Sequence, residues 1–314
     1  MIDLVLNKAV AGYDPTHTTA LRNAFAKNMK QRFGELALVV ATAIVKQDCF
    51  GLTNNTMSIH QMTPPYWQAF NFTRNSEKLD AFMKWLEEQV NKGILDVRQW
   101  QQVGSSVEAN WMNMYLFDSY KRGVARARYE MQKLGLDVPN IEDSGGWSIV
   151  MGLPMHIDRL GLIYTRMFTD LKGITSQMDT IISRILAQGL ADGDNMRLIA
   201  NKILFAINGS GKGDLALKDS IGRNITAEQR ALDLARTEII RAHHLATIQE
   251  YRNWGLFNIK VKGEWKTAGD DRVCPQCEEL DGQIFTLDEI EYMIPLHNKC
   301  RCIALPYIEG SNEN

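Results

Sequence analysis

Four of the five cysteines of this chain crowd between positions 274 and 302 together with one histidine. They read Cys274-Pro-Gln-Cys277, then nineteen residues, then His297-Asn-Lys-Cys300-Arg-Cys302. A C-x-x-C turn sets two sulfurs on one side of a tight loop, and H-x-x-C does the same with an imidazole and a sulfur. Two such turns brought together offer four S/N donors in a tetrahedron, the arrangement Zn²⁺ takes in closed structural sites. Four protein ligands leave no coordination position for an activated water, so the spacing points to a structural zinc and not a catalytic one. The expected ligands are Cys274, Cys277, His297 and Cys300. Cys302 is either an alternative fourth ligand or a strand residue packed beside the site. Three thiolates, a neutral imidazole and a divalent ion leave one net negative charge, which Arg272, Lys299 and Arg301 are placed to offset.

Competing readings of these cysteines are weaker. Disulfides are rare where thiols stay reduced. A redox pair of the thioredoxin type sits at a strand-to-helix junction, and here Glu278, Glu279 and Asp281 follow the pair and oppose a low thiolate pKa. The fifth cysteine, Cys49, stands alone after an apolar helix and reads as a small buried hydrophobe. The reducing compartment itself is inferred from the start of the chain and from its hydropathy. Met1-Ile2-Asp3-Leu4 has no basic n-region. The longest strongly apolar run, Leu36 to Val45, is ten residues, against about 20 for a bilayer span. Synthesis in a cytoplasm, with no membrane span, is therefore expected.

Ahead of the cysteines the sequence reads as helix. Ala20 to Gln47 lacks proline, with a basic first half (Arg22, Lys27, Lys30, Arg32) and an apolar second half. Gly51 to Asn75, with Pro64-Pro65, reads as a loop. Ser76 is placed to cap a helix through Asn91, whose Leu79, Phe82, Met83 and Leu86 share a face. Glu108 to Leu134 forms a third helix and Asp137 to Gly146 a loop. His156 to Leu171 is a helix ended by Gly173, followed by another from Ser176 to Leu190 and a short one from Asn195 to Ile207. Thr226-Ala-Glu-Gln229 has capping-box spacing and opens a helix ending at Gly255. Beyond it, Asn258 to Trp265, Gln283 to Thr286 and Arg301 to Ile308 are β-branched and aromatic and read as strands. The fold class is α+β, predominantly helical: a helical N-terminal region and a small C-terminal domain stapled by zinc. Trp67, Trp85, Trp100 and Trp111 are assigned to the core.

Several weaker signals have ordinary readings. Glu238 and Arg241 are three apart on a helix, which suits a surface ion pair. His243 and His244 point about 100° apart and cannot easily chelate one metal, so one is expected to face solvent. Asn208-Gly-Ser-Gly-Lys-Gly213 lacks the first Gly and the Ser/Thr of a phosphate loop, leaving a flexible connector. Lys121, Arg122, Arg126 and Arg128 form a basic run that is ordinarily a solvated face. With 35 Lys+Arg against 37 Asp+Glu, the chain has no basic excess of the kind that coats nucleic acid.

Trp265-Lys-Thr-Ala, Asp271-Arg, Cys274-Pro-x-Cys277, Leu280-Asp-Gly282 and His297-x-x-Cys300-Arg-Cys302 followed by Pro306 resemble the C-terminal domain of the Mu F-like phage head-morphogenesis proteins. The helix before it fits the same pattern, through Ala235-Arg-Thr-Glu238, Arg241, Tyr251 and Gly255. Ile182 to Ile203, with Gly189 and Gly193, resembles that family's lead-in helices. The resemblance spans about Gly173 to Tyr307, and the first 170 residues carry no motif of it. It divides the chain into an N-terminal assembly region (1–172), a Mu F-like domain (173–307) and a tail (308–314). It implies a structural minor head protein of a tailed bacteriophage, present in the virion in few copies and made in the host cytoplasm. Its implied partners are portal and major head proteins, with packaged DNA as a further candidate, and no enzymatic activity. It also suggests that Thr237, Glu238 and Arg241 dock their helix onto the zinc-bearing part.

The principal alternative is a zinc-containing nuclease of the HNH or treble-clef kind, or a nucleic-acid-binding protein. It needs an open catalytic metal site and a general base. His297 is already committed to the cysteines, and Lys260 to Cys302 holds six Lys/Arg against nine Asp/Glu. A fused effector is not expected, because the chain stops just past the cysteines.

Overall fold

A computed structural model describes residues 14–52, 69–92, 94–96, 110–212, 217–218, 223–255 and 261–308. Helix accounts for 66% of the described residues, beside a small three-stranded sheet. Trp67, Trp100, Asn258, Gly213 and Glu108, all used in the sequence reading, lie outside the described residues.

Nine α-helices are described: α1 (Thr19–Ala41, continued by a π-helical turn, Thr42–Lys46), α2 (Asn75–Lys92), α3 (Trp111–Lys133), α4 (Trp147–Met151), α5 (Pro154–Asp192), α6 (Met196–Asn208), α7 (Ala227–Gly255), α8 (Pro275–Leu280) and α9 (Leu287–Ile290). Strands β1 (Leu217–Lys218) and β2 (Asn224–Ile225) pair between α6 and α7, and β3 (Val261–Lys266), β4 (Ile284–Phe285) and β5 (Ile303–Ile308) follow. None of the described helices is long and apolar enough to cross a membrane.

The chain divides into two compact units, each gathered from separate stretches. One comprises Met1–Phe25, Gln102–Met167 and Ala235–Asn314, and the other Ala26–Gln101 and Phe168–Leu234. In the second, Phe50, Phe70, Phe82 and Trp85 form an aromatic cluster with centroids 5.2–6.2 Å apart. Cys49 is buried there, and burial followed by the nearby Asp48 pushes its thiol up to about 12. It is the inert hydrophobe expected.

The first unit holds the cysteines. Its sheet has the order β4-β3-β5, both pairs antiparallel, with Trp265 opposite Ala304 and Gly263 opposite Phe285. Helices α3 and α7 pack closely in this unit. A Cβ on Gly123 would sit 2.2 Å from the His243 carbonyl oxygen and 2.8 Å from the Ala246 Cβ. Only glycine permits that approach. Ser119 reinforces it by donating to the Ile239 carbonyl at 2.7 Å.

Caps and termini follow from local chemistry. Asn110 accepts from Met112 N at the start of α3, and Asn195 from Leu198 N at the start of α6. Thr226 accepts from Gln229 N at 3.1 Å, but the Gln229 amide donates onward to Asp233, so only half of the expected box forms. Ser76 lies inside α2 and not before it. Gly173 does not end a helix: α5 runs unbroken for 39 residues. Its stripe of Ile163, Met167, Leu171, Ile174, Met178 and Ile182 is buried throughout, which outweighs the roughly 1 kcal/mol that one mid-helix glycine costs.

Candidate metal centre

The first cysteine pair is set by a helix start. Cys274 is the N-cap of α8, its Sγ accepting from Cys277 N at 3.4 Å, and Pro275 occupies the first turn, where a missing N–H costs nothing. The second pair is set by a turn in which Cys300 N donates to the His297 carbonyl at 3.1 Å, with Lys299 at φ +67°. Strand β5 begins at Ile303 and fixes Cys302 immediately before it.

These elements bring the four expected ligands and Cys302 into two adjoining groups of three. Cys274, Cys277 and His297 have ligand atoms within 4.8 Å of one another, and so do Cys277, Cys300 and Cys302. Cys277 is common to both groups. His297 Nε2 lies 3.2 Å from Cys274 Sγ and 3.3 Å from Cys277 Sγ. Its other nitrogen, Nδ1, is 2.8 Å from the Asn298 carbonyl. A carbonyl only accepts, so Nδ1 donates there and Nε2 is left turned to the sulfurs, the orientation of a metal-ligating histidine.

The thiols of the cluster perturb one another. The Cys302 thiol donates toward Cys300 and holds the Cys300 thiol down at about 5, while the same contact pushes Cys302 far up. Burial, then the neighbouring Cys300, pushes Cys277 up to about 12. Three sulfurs this close cannot all ionise unless positive charge enters among them. Of the three nearby cations, Arg301 and Arg272 are engaged by Asp270, at 2.8 and 2.7 Å. Arg301 and then Arg272 hold that carboxyl well below the usual range. The pair ties the loop before Cys274 to the residue between Cys300 and Cys302.

The centre is part of a hydrophobic core. Cys277, Cys300 and Cys302 pack in one buried cluster with Trp265, Ala304, Ile290 and Ile294, and with Tyr251, Ile248 and Ile240 from α7 and Met131 from α3. Helix α7 is fastened to this cluster by polar contacts. Tyr251 donates to the Ala304 carbonyl at 3.1 Å, and His244 Nε2 lies 2.9 Å from the Ile290 carbonyl. Arg252 reaches Asp288 at 2.6 Å and Glu291 at 2.8 Å, and Arg159 of α5 reaches the other Glu291 oxygen. Burial opposes ionisation of Glu291, but Arg252 and Arg159 hold its carboxyl down.

Glu238 is not a surface residue: it is 1% exposed, 2.9 Å from Arg241 Nε and 3.5 Å from Arg166 of α5. Thr237 is also buried. Both histidines of the adjacent pair are buried, where one was expected in solvent. Burial pushes His244 down to about 4 and, with Arg126, His243 to about 3. The basic run separates by direction. Arg128 is buried, 2.9 Å from Glu250, which also accepts from Trp254 Nε1 at 3.0 Å and lies 3.0 Å from His156 Nε2. Lys121 sits over the Trp147 ring. Arg22 pairs with Asp14 at 2.5 Å. Nothing local in the sequence marked Arg128 as buried, because its partner Glu250 is 122 residues away.

No curated protein and no solved structure matches the chain. Residues 180–305, a stretch that contains every donor of the centre, match the family model described as Phage Mu protein F like protein, so the C-terminal part of the chain is similar to that family.

Proposed function

We propose that this protein acts in phage head morphogenesis as a structural, non-catalytic head protein whose C-terminal part is pinned by Zn²⁺. The observation that carries the reading is the match over 180–305, with five S/N donors gathered inside that stretch. Cys274, Cys277 and His297 would hold the ion with Cys300 as fourth ligand. Cys302 would serve as hydrogen-bonding neighbour or as the alternative ligand. When bound, the metal supplies a cross-link between the α8 turn and the turn before β5, and charge compensation for the sulfurs. The chain's own residues do the rest: Asp270 closes the same two loops, while Tyr251, His244 and Arg252 attach α7.

The proposed place of action is the virion, at the portal vertex or against major head proteins, with packaged DNA as a further contact. Thr237, Glu238 and Arg241 are then residues that dock α7 onto the zinc-bearing part, with Glu238 held between Arg241 and Arg166 of α5. A nuclease use of His297 is disfavoured by its Nε2, which faces two sulfurs at 3.2 and 3.3 Å.

The test is sedimentation of phage particles from cells expressing a tagged chain alongside the other head genes. The expected result is a few copies per particle, retained after DNA release and captured by purified portal protein. A chain that stays wholly in the unassembled fraction would contradict the reading.

A further inference from the structure

Helix α3 borders a cleft of about 530 Å³ in the first unit, remote in sequence from the cysteines and lined also by Thr16, His17 and His243. That volume is within the range of small-ligand sites. Arg122, Arg126, Tyr129, Glu130 and Lys133 recur at steps that place them on one face of α3. The lining holds three cations and one carboxylate. Both Glu130 oxygens are engaged, by Arg126 at 3.1 Å and by Lys133 at 3.5 Å. Arg122 meets Asp118 at 3.0 Å, and its other contact is the His17 carbonyl. Arg126 donates further to the Pro15 carbonyl. Carbonyls are dipoles and do not neutralise a full charge, so the cleft keeps a positive excess.

The opposite wall is built in advance. Asp14 accepts from Thr16 N at 3.1 Å and Thr18 N at 3.2 Å, and pairs with Arg22. Burial opposes its ionisation, but hydrogen bonds from Thr19 and the Arg22 charge hold its carboxyl down at about 2. The turn is therefore rigid, and ligand binding loses little entropy to ordering it. His243 Nε2 is buried with no hydrogen-bond partner among the described residues. Tyr129 adds an exposed aromatic ring at the rim, with Lys133 Nζ 4.6 Å from its centroid.

We propose that this cleft binds a phosphate group, offered by a nucleoside monophosphate or by the backbone of single-stranded DNA. Guanidinium forks match phosphate oxygens in geometry as well as charge, and a ring such as Tyr129 suits a base. The inference stands apart from the metal centre, and its DNA branch would deepen the proposed contact with packaged DNA.

The experiment is calorimetry on the full chain in chloride buffer with inorganic phosphate, thymidine monophosphate, thymidine and succinate. Arg122 and Lys133 side chains are 46% and 54% exposed, so Arg122→Gln/Lys133→Gln should melt with the wild type. That pair should lose phosphate and thymidine monophosphate affinity by at least about tenfold. The control Lys27→Gln/Lys30→Gln, exposed on α1, removes equal charge and should change affinity by less than about twofold. If the pair melts early, Lys133→Glu alone reads the same loss. Competition by an eight-nucleotide oligothymidine assigns the phosphate to DNA, and its failure to compete assigns it to the free monophosphate. The proposal is overturned if wild-type protein binds no phosphate, if both double variants lose affinity equally, or if succinate displaces phosphate at equal concentration.

Discussion

Replacing Glu250 with alanine tests how the first unit is held around α3 and α7. The carboxylate is fully buried and receives three neighbours: Arg128 Nε at 2.9 Å, Trp254 Nε1 at 3.0 Å and His156 Nε2 at 3.0 Å. Truncation leaves the Arg128 guanidinium in the core with only the Pro139 and Asn140 carbonyls and the Ser144 hydroxyl as hydrogen-bond partners among the described residues. Breaking a buried ion pair by removing one member costs about 3–5 kcal/mol, chiefly for the stranded charge. For a unit of this size that is a fall in melting temperature on the order of 10 °C. Replacing both ends, Arg128→Met with Glu250→Leu, removes the charges together and should recover most of the loss. Recovery stays incomplete because Arg128 also holds the loop after α3. The assay is thermal and urea unfolding of both variants, each compared with the wild type. A Glu250→Ala loss below about 1 kcal/mol, or a double variant worse than the single, would refute this account of the network.

Two further predictions follow from the same unit. Gly123→Ala should destabilise by about 1–3 kcal/mol, because the new methyl meets the His243 carbonyl and not a movable side chain, and the shift in urea midpoint measures it. Acid should weaken the unit early. His243 and His244 have folded pKa values of about 3 and about 4, below the unfolded value. The unfolded chain therefore binds protons first, and stability that is complete above about pH 6.5 declines as pH falls toward 4. His244→Gln should flatten that decline in a series of melts from pH 7 to 4.5, and an unchanged slope would contradict the assignment.

What could be read in advance was local. Proline-free apolar periodicity located the long helices, Thr226 the start of α7, and β-branched runs the three strands of the C-terminal sheet. The metal candidates were legible because ligand spacing is itself the signal, and the structure places them in two groups of three that share Cys277. What escaped was decided by partners distant in the chain. Gly173 looked like a helix end, yet a continuous buried stripe carries α5 through it. Arg128 looked solvated, and it meets the buried Glu250 carboxylate 122 residues away. The adjacent histidines looked divided between core and solvent, and both are buried, His244 beneath Ile290 and His243 against Gly123. Helices α8 and α9, of six and four residues, are too short for periodicity to register, although Cys274 and Thr286 are recognisable caps.

The central claim is that a divalent ion joins the two cysteine turns, and metal content with chelation tests it most directly. Protein purified without added metal should carry about one zinc per chain. Stripping it with a strong chelator should lower the melting temperature, and zinc should restore it. Cys277→Ser should be the most damaging ligand variant, since Cys277 belongs to both donor groups. Zinc well below one per chain, with melting indifferent to chelator and to Cys277→Ser, would contradict the account.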